Sequence, residues 1–159
     1  MQQHSETCSC GAAPPCAPTW YEALAREQGD PAMYAWHTPL VLAYVLQHPS
    51  ESAARDQYLD SQFRILQLYL DQGLGALNRF GQTQRRRNAL QGKDFAYDTD
   101  ALAAYRPLPA GTPARFARSV HDLRDADGGF VGDGHGAYGS RMAELARATV
   151  DAYLNGAAA

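Results

Sequence analysis

The chain has 159 residues, the size of one domain that buries roughly 70% of its unfolded surface. Hydrophobic residues make up 45% and charged residues 19%, a soluble globular composition that excludes a disordered chain. A formal charge of −3 gives no general attraction for nucleic acid or anionic lipid, and no apolar run approaches the ~18 residues that span a bilayer.

The opening, MQQHSETCSC, has neither a basic n-region nor an apolar h-region. It predicts no secretory signal and a cytoplasmic location. Residues 1–18, rich in Ser, Gly, Ala, Pro and Cys, read as a Cys-rich leader or loop, followed by a single helical domain over 19–156. Thr19 and Glu22 have capping-box spacing, which predicts a helix over about 20–28 ended by Gly29, Asp30 and Pro31. A second helix follows, with Thr38 as cap and Pro39 at its first position, where the missing N–H costs nothing. Pro49 stops it near Gln47.

The strongest periodicity lies over 53–72. There Leu59, Phe63, Leu66 and Leu70 form one row, while Asp56, Asp60, Arg64 and Asp71 fall towards the other side. Gly73 marks its end. Short helices are expected around 74–80 and 85–90, then a proline-bearing loop, and another short helix after Pro113. The stretch RDADGGFVGDGHG reads as turns, and a last helix runs over about 140–154 to the Asn155-Gly156 stop. No strand pattern occurs, so the expected fold is all-α, an irregular helical bundle.

Three cysteines, Cys8, Cys10 and Cys16, cluster at one end. An odd number in a cytosolic-type chain argues against a disulfide framework and leaves metal-bound or free thiols. A histidine would complete a Cys₃His shell suited to zinc, whose tetrahedral sites take thiolate and imidazole. His37 and His48 are the candidates, and eleven residues on an unbroken helix put them roughly 16 Å apart, too far to share an ion. His37, at the positive end of the helix dipole, is the better ligand on that argument, because the dipole favours a ring with a free lone pair. The other arrangement has the Gln47-His48-Pro49 corner folded over the cysteines.

The remaining motifs carry less. Arg85-Arg86-Arg87 is one short run without interleaved aromatics, and reads as a solvated face rather than a nucleic-acid footprint. Asp125, Asp127 and Asp133 suggest a calcium loop, but Phe130 stands where that loop needs glycine and Gly136 where it needs glutamate.

The order Cys-x-Cys-Gly-Ala, Cys16, a Trp-Tyr-Glu helix, His37 and then Tyr44-x-x-Gln47-His48-Pro49 resembles a bacterial family of small uncharacterised proteins, domain of unknown function 5946. The likeness runs from Cys8 to about Leu74, with a looser match in YRPLPAGTPARFARSVHDL and the last helix, and it strengthens the metal-binding expectation. The family pattern has Cys-x-x-Cys-Gly-Ala at its head, where Thr7 takes the place of the first cysteine here. It also tends to have Asp at the position of Leu42 and His at that of Gln62, so any site those residues form is altered in this chain.

Two functions from different classes follow. In one, a structural or regulatory zinc held by Cys8, Cys10, Cys16 and His37 staples the leader to the histidine helix. In the other, an enzyme pocket lined by Tyr44, His48, Gln62 and Glu27 acts on a small molecule. A closed four-ligand shell favours the first, since catalytic zinc keeps a position open for water. The partner is then a small molecule or another protein, with nucleic acid and membrane excluded.

Overall fold

The structure is a computed structural model that describes residues 7–51, 56–92, 97–130 and 135–156. Four helices occur among them: α1 (Ala17–Gly29), α2 (His37–Gln47), α3 (Asp56–Gln91) and α4 (His135–Gly156). Short 3₁₀ turns lie at Met33–Trp36, Pro49–Glu51 and Val120–Leu123, and no strand occurs among the described residues beyond one bridge between Arg124 and Phe130. The fold is an all-α bundle.

The middle of this bundle is α2, and both its faces are buried. Leu40 and Ala43 face a cluster with Cys10, Cys16, Ala23, Tyr138 and Met142, whereas Leu42 and Leu46 face one with Phe63, Leu66, Leu102 and Val150. Leu40 and Leu46 are fully buried, each contributing roughly 2 kcal/mol. The helix therefore touches α1, α3 and α4 at once.

Several local expectations give way to tertiary contacts. Thr19 and Glu22 form no capping box. The helix begins at Ala17 with Cys16 at its N-cap, and Thr19 Oγ1 and Glu22 instead accept hydrogen bonds from Arg124. At α2 the helix starts at His37, continuing a 3₁₀ turn, so Thr38 is not its cap. Gly73 breaks α3 with φ +80°, a conformation glycine adopts without strain, but the chain resumes as one helix to Gln91 rather than two short ones. After Pro113 only the 3₁₀ turn forms, closed by a reciprocal Ser119–Asp122 capping box.

The polar stripe of α3 is not left to solvent. Asp60 accepts from the Leu108 N–H at 2.7 Å, and Arg64 donates to the Tyr105 carbonyl at 2.7 Å. Gln67 exchanges two hydrogen bonds with the Arg106 backbone, and Asp71 accepts from the Tyr105 hydroxyl. Residues spaced i, i+4, i+7 and i+11 thus anchor a coil whose own backbone pairing is confined to turns.

Candidate metal centre

The leader folds onto itself before it reaches the bundle. The Cys8 carbonyl accepts from Gly11 N–H at 2.8 Å and the Cys8 N–H donates to the Ala12 carbonyl at 2.9 Å, closing a tight turn around Cys10. Gly11 makes this turn possible on two counts. Its φ is +83°, and a Cβ there would stand 2.6 Å from the Ala114 carbonyl oxygen. Cys16 then serves as the first residue of the α1 entry and is fully buried.

The other half of the centre is the end of α2. Gln47 donates to the Arg118 carbonyl and to Thr149 Oγ1, both at 2.9 Å, tying the helix end to the following coil and to α4. Pro49 cannot continue the backbone ladder, so His48 turns out of it and over the cysteines. Its Nδ1 lies 2.8 Å from the Tyr44 carbonyl. A carbonyl only accepts, so Nδ1 keeps a proton, and Nε2 is the nitrogen left to ligate a metal once its own proton is displaced. Tyr44 stacks on the same imidazole at 4.2 Å, and Trp20 of α1 stacks on Tyr44 at 4.2 Å.

Nε2 of His48 lies 3.1 Å from Cys8 Sγ, and Cys10 Sγ lies 3.6 Å from Cys16 Sγ. All four ligand atoms stand within 4.8 Å of one another. Ligand atoms around a tetrahedral ion with bonds of ~2.0–2.3 Å are roughly 3.5–3.8 Å apart, so the set needs only small shifts to close on one ion. The outer contacts suit this role too, since a ligating imidazole ordinarily donates its other N–H to a carbonyl or carboxylate. This Cys₃His cluster could hold a metal ion.

Among the protein groups alone, the cluster already separates charge. A hydrogen bond from Cys10 holds the Cys16 thiol well below the ordinary range against the effect of burial, helped by His48, the His121 amide and the Ser119 hydroxyl. Cys10 is correspondingly pushed up by Cys16 and by burial. Burial disfavours a charged His48, but Cys16, the Tyr44 carbonyl and Cys8 outweigh it and push the imidazole up to about 9. A metal ion taken up by these groups would therefore displace protons.

Of the four residues expected as ligands, the structure brings Cys8, Cys10 and Cys16 together and leaves His37 out. The His37 Nδ1 pairs with Glu27 Oε2 at 2.8 Å, its ring stacks on Tyr34, and Tyr138 donates to the other oxygen of the buried Glu27. The physical reason is the position of α2, whose C-terminal end, not its start, packs against the leader. The expected pocket of Tyr44, His48, Gln62 and Glu27 is likewise divided among three neighbourhoods. Tyr44 and His48 belong to the cysteine cluster, Glu27 to His37, and Gln62 to Tyr97.

Other singled-out residues find internal uses. Arg87 pairs with Asp98, while Arg85 and Arg86 are exposed. Asp125 pairs with Arg141 and Asp127 caps the Gly129 N–H within a turn, while Asp133 lies outside the described residues. Gln47 and Gly11 were missed as contributors to the centre, although Gln directly before His48-Pro49 and Gly directly after Cys10 were visible signals.

The fold and the site define an all-α protein with a Cys₃His cluster at one side of its central helix. The chain belongs to the family of unknown function (DUF5946), whose model matches residues 5–154. Comparison with curated proteins gives no match, and comparison with solved structures gives none. No helix among the described residues is long and apolar enough to cross a membrane.

Proposed function

We propose that the chain is a zinc-binding protein in which Cys8, Cys10, Cys16 and His48 hold one ion that staples the leader to the end of α2. The observation that carries this reading is the convergence of four ligand atoms within 4.8 Å, with Nδ1 of His48 held by the Tyr44 carbonyl and Nε2 turned to the cysteines. Thiolate and imidazole donors in a tetrahedral set favour zinc among common divalent ions. Cys10, Cys16 and His48 are at most 2% exposed, which supports a structural or regulatory metal rather than one open to a substrate. Three thiolates also weaken the ion as a Lewis acid. A reducing, cytoplasmic setting suits the three free thiols.

Metal analysis of protein purified without a chelating tag tests this reading. One zinc per chain is expected, with a tetrahedral thiolate-rich spectrum after cobalt substitution. His48→Ala and Cys16→Ser should lose the ion, and His37→Ala should keep it. A parent protein without metal, or zinc loss in His37→Ala but not His48→Ala, overturns the assignment.

A further inference from the structure

A cavity of about 640 Å³ lies on the other side of α2, between that helix, the two halves of α3 and the coil after them. Its size falls within the ~300–1,000 Å³ of small-molecule sites. Leu42 and Ile65 give it an apolar wall, and Phe80 and Tyr97 give it two aromatic rings. Gln84 and Arg85 line it as well.

Two side chains of the lining, the exposed Arg85 and the buried Gln84, keep hydrogen-bond donors free. Arg85 has no ion-pair or hydrogen-bond partner among the described residues, whereas Arg87, two positions on, is neutralised by Asp98. Gln84 is only 7% exposed, and its Oε1 accepts the Asp98 N–H at 2.7 Å. Its amide N–H donors have no acceptor among the described residues.

We propose that this cavity is a binding site for a small aromatic carboxylate, independent of the metal centre. The guanidinium fork of Arg85 matches a carboxylate, and the Gln84 amide adds a neutral donor for the same group. Phe80, Tyr97 and the aliphatic wall receive the flat apolar body. The tri-arginine run then serves two purposes, with Arg85 for the ligand and Arg87 for the fold.

Calorimetric titration of the full metal-loaded chain with 2-naphthoate and with neutral 2-naphthamide tests the proposal. Saturable one-to-one binding of naphthoate is expected. Arg85→Gln should weaken naphthoate about tenfold, the loss of one charged hydrogen-bonded contact, and leave naphthamide unchanged. Ala89→Trp, on an exposed part of the cavity lining, should abolish binding of both probes. Both variants should keep the helical circular dichroism and metal content of the parent. Naphthoate that does not saturate, or that keeps its affinity in either variant, overturns the proposal.

Discussion

On the leader side of α2, residues 7–16 offer cysteines, glycine, alanines and prolines, and their order comes from a turn, a few hydrogen bonds and four convergent ligand atoms. On the bundle side, Phe63, Leu66, Leu102 and Tyr153 interlock with almost no exposed surface, and the Tyr153 hydroxyl bonds to the Leu46 carbonyl at 2.5 Å. One region depends on directional bonds to few atoms, and the other on non-directional apolar burial spread over many. The first should therefore fail locally when one bond type is removed, and the second should fail cooperatively. The shared helix couples them, because Gln47 ties the end of α2 to α4 while the next residue faces the cysteines.

With zinc in the proposed site, removing it is the largest way to break the comparison. With zinc at about a thousandfold its Kd, chelation should cost about 4 kcal/mol of apparent stability. For a chain of this size that is about 10 °C in Tm. Hydrogen exchange should rise over residues 7–16 and little in α3. Equal acceleration across both regions would show that the ion supports the whole core rather than the leader.

Leu66→Ala attacks the other side. A fully buried leucine in a packed cluster should cost about 3 kcal/mol, read by chemical denaturation. Zinc stoichiometry should remain that of the parent. Loss of zinc in this variant would mean that the two regions do not form separately.

Gly11→Ala sharpens the leader side. Its positive φ and the 2.6 Å approach to the Ala114 carbonyl predict a cost of about 1–2 kcal/mol and weaker metal retention against a competing chelator. Retention equal to the parent would show that the turn relaxes without moving the cysteines.

The smallest effect concerns Glu22, which Arg26 and then Arg124 hold below the usual carboxylate range against slight burial. A depressed folded pKa adds stability above the unfolded value of 4.5 that is lost as pH falls below it. Glu22→Gln should therefore cost less than about 1 kcal/mol near neutral pH, less still in high salt, and nothing at low pH. An equal cost at all pH values would assign the effect to packing.

How much of this could be read beforehand depends on whether the cause is local. Period 3.6 over the start of α3 and the proline stop of α2 come from nearest neighbours, and the structure keeps both. Thr19 and Glu22 have the spacing of a cap, yet Arg124, more than a hundred positions away, takes both side chains. The polar residues Asp60, Arg64 and Asp71 sit on the predicted outer stripe, but the coil they bind is set by the tertiary fold.

The candidate centre divides along the same line. The sequence by itself determined an all-helical chain, a clustered set of three thiols, and two histidines that one straight helix keeps apart. Only the tertiary structure decided which histidine meets the cysteines. The helix-dipole argument for His37 is a local effect of modest size, whereas the docking of α2 is fixed by burial of Leu40, Leu42 and Leu46 on both of its faces. That packing brings His48 to the leader and gives His37 to Glu27.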